Sequence, residues 1–186
     1  MTTTRVALVA DTHGQIDARI LRLVAACDMV VHSGDIGSGT VLACLQPRGG
    51  RVYAVRGNND HDRAWPVHEH DLLTWIPTSV SIALPAGALV AVHGHRLAAG
   101  RRHELLRRAY PTARAVVYGH SHLLVTDCDR LPWVLNPGAA ARAQARGVPS
   151  CLVLTASETA WHIEAHRFVT PRAHKQTAAK ESARDG

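Results

Sequence analysis

Short apolar stretches alternate with helix-like segments in the first third of the chain. Residues 5–10 are apolar and partly β-branched, and residues 17–27 carry leucine, isoleucine and alanine at helical spacing. The apolar pattern returns at residues 29–32 and 51–55, with a short helix predicted between them over residues 40–45. A βαβαβ order of this kind predicts parallel strands covered by helices.

The rest of the chain is richer in predicted strands. Residues 79–84 and 89–93 flank Pro85-Ala86-Gly87 and predict a hairpin. Residues 97–109 have the spacing of an amphipathic helix that ends before Pro111. Turn residues separate five further predicted strands, at residues 115–118, 123–126, 133–135, 151–155 and 161–166.

Two segments lack a regular pattern. Residues 61–77 contain Trp65-Pro66, three histidines and three carboxylates, which predicts a surface excursion with about one helical turn. Residues 170–186 are small and polar and predict a disordered tail. We therefore predict one α/β domain over residues 1–169, in which two mixed β-sheets pack face to face as a sandwich flanked by helices.

The composition is typical of a globular protein that does not enter a membrane. Of the 186 residues, 46% are hydrophobic and 19% are charged. Apolar runs stay far below the roughly 20 residues that a membrane helix needs. The start of the chain has no basic, then apolar, secretion signal, and the four cysteines form no CxxC pair. We expect a cytoplasmic protein without a membrane partner.

The net charge of +6 raises the question of nucleic-acid binding. Much of it comes from arginines in the predicted helix over residues 97–109: Arg101, Arg102, Arg107 and Arg108. The residues between them are leucine and alanine rather than aromatic. This pattern favours a solvated helix face and argues against a dedicated nucleic-acid-binding role.

Side chains with metal-ligand chemistry follow the predicted strands. The chain has thirteen histidines, and histidine is the commonest metal ligand. Parallel strands bring the loops at their carboxyl ends to one edge of a sheet, so ligands from distant parts of the chain can meet there. Seven candidate ligands occupy such positions: Asp11, His13, Asp35, Asn58, His93, His120 and His122.

The ordered set of motifs resembles the calcineurin-like metallophosphoesterase superfamily, and within it the small single-domain phosphodiesterase branch of bacteria and archaea. The resemblance covers nearly the whole chain. The motifs are Asp11-Thr12-His13, Gly34-Asp35, Gly57-Asn58-Asn59-Asp60, His93-Gly94-His95, Gly119-His120-Ser121-His122 and Asn136-Pro137-Gly138.

The resemblance implies a dinuclear metal centre. One divalent ion would be held by Asp11, His13, Asp35 and His122. The other would be held by Asp35, Asn58, His93 and His120, so that Asp35 bridges both. Mixed nitrogen and oxygen ligands suit manganese, our first expectation, and also iron, nickel, cobalt or zinc. A hydroxide bridging the two ions would be the nucleophile that attacks phosphorus.

One position departs from the superfamily pattern. Larger members have a histidine where this chain has Asn59, and that histidine contacts the phosphate and can help to protonate the leaving group. Asparagine cannot donate a proton as an acid, so we expect a preference for phosphodiesters with good leaving groups over monoesters. His95 could supply the missing contact or be structural. Asp60 could orient a ligand or cap its loop, and Arg56 could touch substrate or pair with a carboxylate.

Three hypotheses of function follow. The leading one is a hydrolase that acts on a small phosphate ester. The alternative is a protein-binding scaffold with metal ligands but negligible activity, as in the retromer subunit of this fold. A nuclease is the third, although the chain lacks the DNA-binding and dimerisation segments of such relatives. Strand edges in the second half could also pair in a homo-oligomer.

Overall fold

Two five-stranded β-sheets and four α-helices make up residues 2–141 and 148–169, the part of the chain that the structure, a computed structural model, describes. Each predicted strand and helix has a counterpart among these residues. The α/β sandwich predicted from the sequence is confirmed. The tail predicted for residues 170–186 lies outside the described residues.

The strands are β1 (Thr3–Val9), β2 (Met29–His32), β3 (Arg51–Ala54), β4 (Ser79–Leu84), β5 (Gly87–Val92), β6 (Ala115–Val117), β7 (Leu124–Asp127), β8 (Trp133–Pro137), β9 (Ser150–Ser157) and β10 (Trp161–Arg167). The helices are α1 (Ala18–Ala25), α2 (Gly39–Cys44), α3 (His70–Trp75) and α4 (Arg102–Ala109). Short 3₁₀ turns at Val67–Glu69 and Ala99–Arg101 precede α3 and α4.

The first sheet has the strand order β10-β9-β1-β2-β3. As predicted, β1, β2 and β3 are parallel. The second half of the chain does not form a sheet of its own, because β9 pairs antiparallel with β1 and carries β10 on its other side. The physical reason is burial: five consecutive residues at the start of β9 are buried, so this strand needs cover on both faces and neighbours on both edges.

The second sheet has the order β4-β5-β6-β8-β7, and β4 and β5 form the predicted hairpin. The inner faces of the two sheets meet in one apolar core. The first sheet contributes Val6, Leu8, Met29 and Val31, and the second contributes Ile82, Leu89, Ala91, Val117 and Leu135. Burying these side chains on both faces fixes the two sheets against each other.

Helices cover the outer faces. Ile20 and Val24 of α1 pack on the first sheet, and Leu106 of α4 packs on the second. The segment 61–77 contains more structure than the single predicted turn, since it buries Trp65 and Leu73 beside the loop after β2. No helix among residues 2–141 and 148–169 is long and apolar enough to cross a membrane.

The arginines of α4 correct one prediction. Arg102 is buried, and its guanidinium donates hydrogen bonds to the carbonyls of Gly94 and Leu97. Arg107 lies 2.6 Å from Asp127 and donates to it. The predicted solvated face is therefore wrong for these two side chains, because helical periodicity cannot distinguish an arginine that donates to protein oxygen atoms from one that faces water.

We expect Val6→Ala to lower the free energy of unfolding by about 1 to 3 kcal/mol, because it leaves a cavity between the sheets. Val67→Ala is the matched control, since Val67 is 83% exposed, and its effect should stay within about 0.5 kcal/mol. Urea denaturation of both variants measures the difference. Equal losses of stability would contradict the assignment of Val6 to the core.

Candidate metal centre

The loops after β1, β2, β3, β5 and β6 meet at one edge of the sandwich and bring the seven predicted ligands there. Asp11, His13, Asp35 and His122 each offer one ligand atom, and these four atoms all lie within 4.8 Å of one another. They are the same four residues that the resemblance assigns to one metal ion. Side chains separated by more than a hundred residues in the chain therefore form one cluster with the donor types of a transition-metal site.

The four residues assigned to the second ion also adjoin one another. His93 Nε2 lies 3.3 Å from Asp35 Oδ1 and 3.1 Å from Asn58 Oδ1. The rings of His93 and His120 have their centroids 5.4 Å apart. Because His93 Nδ1 donates to the carbonyl of Ser33, Nε2 is the atom left to bind a metal.

The backbone at five of the seven candidate ligands adopts an uncommon conformation. Positive φ angles place a non-glycine residue in the left-handed region, at a cost of about 1 to 3 kcal/mol where the surrounding structure enforces it. Of the six such residues in the described chain, five are predicted ligands. Their φ angles are 53° at Asp11, 45° at His13, 54° at Asp35, 67° at His120 and 57° at His122. Strain of this kind concentrates at functional sites.

The buried carboxylate of Asp11 has one oxygen paired and one unpaired. Its Oδ1 accepts a hydrogen bond from the backbone N–H of His120 at 3.0 Å. Its Oδ2 is buried without a hydrogen-bond partner among the described residues, as is His13 Nε2. Burial raises the pKa of Asp11 to about 7 in the absence of a cation. A metal ion would satisfy both orphaned atoms, so this donor set fits one.

The pKa of Asp35 is shifted in the opposite direction to that of Asp11. Its burial acts to raise the pKa, but contact with His93 and hydrogen bonds from Asn59 outweigh it and hold the pKa well below the usual range. Asn59 donates its backbone N–H to Oδ1 at 2.9 Å and its amide to Oδ2 at 2.7 Å. Asp35 is thus a buried carboxylate held in its charged form, as a bridging ligand needs to be.

Gly57 and Gly34 occupy positions in these loops at which only glycine fits. A Cβ atom on Gly57 would overlap the carboxylate of Asp35. One on Gly34, whose φ is +98°, would lie 2.6 Å from Nδ1 of His93. The missing side chains let the backbone pass directly beside two ligands.

His32 and Thr12, neither of them a candidate site residue from the sequence, brace the loops after β1 and β2. His32 is fully buried, and the N–H of Gly34 donates to its Nδ1 at 3.2 Å. Its Nε2 therefore carries the proton and donates to Thr12 Oγ1 at 2.9 Å, and Thr12 donates onward to the carbonyl of Ile36. Burial lowers the pKa of His32 to about 4, so the ring is neutral. The one sequence feature that could have drawn attention to His32 is its place at the end of an apolar strand.

Asn136, which entered only as part of a motif, braces the loop of His120 and His122. Its amide donates to the carbonyl of Gly119 at 2.8 Å and to Ser121 Oγ at 3.0 Å. Its Oδ1 accepts from the N–H of Gly138. One buried side chain thus ties this loop to the end of β8.

Asp60 is also buried and lies behind the ligands. Its carboxylate accepts hydrogen bonds from Ile36 N, Gly37 N, Gly57 N and Trp65 Nε1, at 2.8 to 3.0 Å. These contacts join the loops that carry Asp35 and Asn58. The sequence left open whether Asp60 orients a ligand or caps its loop, and these contacts correspond to capping the loop.

His95 lies beside the cluster, and Arg56 directly precedes the loop that carries Asn58. The centroid of the His95 ring is 5.4 Å from that of His93 and 6.3 Å from that of His120. Its Nδ1 is buried and makes no hydrogen bond to the described residues. The Nε of Arg56 is likewise buried without a hydrogen-bond partner in this part of the chain.

Comparison with solved structures identifies the same fold in several proteins. A predicted phosphoesterase from Streptococcus pneumoniae has a TM-score of 0.65 and 19% identity, covering 90% of this chain and 91% of its own. Zinc-complexed Vps29 from Entamoeba histolytica has a TM-score of 0.68 and 17% identity, covering 88% and 98%. An archaeal phosphodiesterase has a TM-score of 0.64 and 20% identity, covering 87% and 99%.

Sequence comparison gives the family. No curated protein matches the chain. The family model of the calcineurin-like phosphoesterase superfamily domain matches residues 4–159, which include all seven candidate ligands. The chain therefore belongs to the calcineurin-like phosphoesterase superfamily.

Proposed function

We propose that this protein is a metal-dependent hydrolase of small phosphate esters, with diesters favoured over monoesters. The observation that carries the proposal is the convergence of ligand atoms from Asp11, His13, Asp35 and His122 within 4.8 Å of one another, with a buried carboxylate oxygen of Asp11 that has no donor among the described residues. The composition favours action in the cytoplasm.

The residues divide into two ligand sets that share Asp35. Asp11, His13, Asp35 and His122 would hold one divalent ion, and Asp35, Asn58, His93 and His120 the other. Manganese is our first choice for both. Two such ions and two carboxylates leave about two positive charges to attract a phosphate ester. When bound, the ions would lower the pKa of a water molecule and neutralise charge that develops on the phosphate.

The side chains at the mouth of the site decide which esters suit it. Asn58 and Asn59 are exposed there, and the Asn59 amide can donate a hydrogen bond to a phosphate oxygen but cannot protonate a leaving group. His95 is an alternative donor that lies beside two members of the second ligand set, His93 and His120. Esters whose leaving group needs no proton are therefore preferred.

Asp60 acts as a positioning residue in this proposal. Its four hydrogen bonds hold the backbone of the loops that present Asp35 and Asn58. Without that carboxylate, three backbone N–H groups and one indole N–H would lose their acceptor. The relative positions of Asp35 and Asn58 then depend on Asp60, a side chain that would bind neither ion.

A protein-binding scaffold is the second candidate. The specific observation in its favour is the apolar surface around α3, where Trp75 is 84% exposed, Val67 83% and Leu72 42%. Large exposed apolar side chains in one region are typical of interaction surfaces. A homo-oligomer formed through strand edges in the second half, such as those of β4 and β7, stays a prediction.

Metal-dependent turnover is the first test. Purified protein with Mn²⁺ should hydrolyse bis-(p-nitrophenyl) phosphate faster than p-nitrophenyl phosphate, and a chelator should abolish both activities.

Asp35→Asn should lose both ions and about 100-fold or more of the activity, because it removes the shared ligand. Metal analysis and kinetics measure this, with exposed Asp62 as the control in Asp62→Asn. Full metal occupancy in Asp35→Asn, or turnover without metal, would contradict the proposal.

The role of Asn59 is tested by restoring an acid. Asn59→His should keep the wild-type metal content and raise monoester turnover about tenfold relative to diester turnover, because imidazolium can protonate a poor leaving group. Asn59→Ala is the control, since it also removes the amide but adds no acid. If both variants change the ratio alike, proton donation at this position is not what limits monoester hydrolysis.

Removing Asp60 should weaken the site without touching a ligand. Asp60→Ala should lower the free energy of unfolding by about 2 to 4 kcal/mol and raise the dissociation constant for Mn²⁺ about tenfold or more. Asp62→Ala, two residues away and exposed, should change neither. Urea denaturation and calorimetric Mn²⁺ titration decide the matter. Unchanged metal affinity in Asp60→Ala would leave Asp60 with a role in stability alone.

A further inference from the structure

A cavity of about 220 Å³ opens beside the His93-Gly94-His95 loop, between α4 and the start of β4. Its wall is mostly hydrocarbon, from Val92, Leu97, Leu106 and Tyr110, among others. Ser79 and Arg96 supply polar groups. An apolar depression with a few polar groups is the usual form of a binding site for an organic molecule.

The cavity adjoins the candidate metal centre through shared residues. His93 and His95 both line it. The same His93 lies 3.3 Å from Asp35 through its Nε2, and the His95 ring is 6.3 Å from that of His120. A phosphate ester held by the second ligand set would therefore lie next to the cavity, with His95 between them.

The wall of the cavity is held in place by a buried charge. Arg102 donates to the carbonyl of Gly94 at 3.1 Å and to that of Leu97 at 3.3 Å, and its guanidinium lies over the ring of Tyr118. Because Arg102 is only 8% exposed, withdrawing it would remove the Arg102 donor of the Leu97 carbonyl and one of the two donors of the Gly94 carbonyl, which also accepts from Leu97 N–H. The segment from Gly94 to Leu97 is thus fixed before any ligand arrives, as a preorganised pocket requires.

We propose that this cavity receives the organic group of the phosphodiester substrate that stays on phosphorus, and that this group is a flat, largely apolar ring. The proposal rests on the hydrolase function proposed above. A volume of about 220 Å³ is smaller than the roughly 300 to 1,000 Å³ of sites that enclose a whole drug-sized ligand, so it accommodates part of a substrate. The hydrocarbon of Leu97 and Leu106 and the partly buried ring of Tyr110 favour an aromatic group over a charged or sugar-like one.

Two esters with the same leaving group test this. Phenyl p-nitrophenyl phosphate and methyl p-nitrophenyl phosphate differ only in the group that stays on phosphorus. After correction for their uncatalysed rates, wild-type protein with Mn²⁺ should show a kcat/KM about tenfold higher for the phenyl ester, since the group that stays on phosphorus is a ring in that ester only. A corrected ratio near one would overturn the proposal.

Three variants test whether the preference for the phenyl ester arises in the cavity. Ala109→Trp should fill the cavity from its exposed rim and remove the tenfold preference, while turnover of the methyl ester and metal content stay unchanged. Tyr110→Ser should reduce the preference by removing part of the wall. Ala99→Trp is the matched control, because Ala99 is an exposed alanine outside the cavity, and it should keep the preference. An unchanged ratio in both Ala109→Trp and Tyr110→Ser would overturn the assignment.

Binding separates this inference from the hydrolase function. If neither ester is turned over, the hydrolase proposal fails, and calorimetry with phenylphosphonate and methylphosphonate in the presence of Mn²⁺ still tests the cavity. Tighter binding of phenylphosphonate by wild type, lost in Ala109→Trp and kept in Ala99→Trp, supports an aromatic subsite. Equal affinities for the two phosphonates would overturn it.

Discussion

Two carboxylates buried at one edge of the sandwich set the arrangement of the loops around them. Asp11 and Asp35 are 0% and 1% exposed, and each needs donors where water cannot supply them. Backbone N–H groups supply some of these donors: that of His120 donates to Asp11, and that of Asn59 donates to Asp35. Those bonds connect the loop after β1 to the one after β6 and the loop after β2 to the one after β3, so the two sheets share a single polar edge.

Around that edge the buried polar side chains hydrogen-bond the backbone, while two candidate ligand atoms have no hydrogen bond to the described residues. His32 and Thr12 link the first two loops, Asn136 holds the loop after β6, and Asp60 collects donors from two further loops. Yet Asp11 Oδ2 and His13 Nε2 are buried with no hydrogen-bond partner in the described residues. Native proteins rarely leave such atoms unpaired, so their location is a physical argument for a cation.

Local patterns predicted the parallel core and the convergence of the candidate ligands at its edge, because both depend on where apolar strands end. They could not predict that β9 joins β1, since periodicity identifies a strand but not its neighbour. Arg102 was assigned to solvent because a helical pattern carries no information about which carbonyls lie beneath it. His32 was overlooked because a histidine at the end of an apolar strand gives no sign of its hydrogen-bond partners until the neighbouring loop is in place.

The correction at Arg102 changes how the site and its surroundings are related. Gly94, whose carbonyl accepts from Arg102, lies between His93, which adjoins Asp35, and His95, which lines the neighbouring cavity. The same guanidinium also covers Tyr118, which directly precedes the Gly119-His120 loop. One buried cation on α4 therefore fixes the backbone next to a predicted metal ligand and the wall of the cavity together. A change in the shape of the cavity that moved this arginine would also move the ligand, whereas a change at its exposed rim would not.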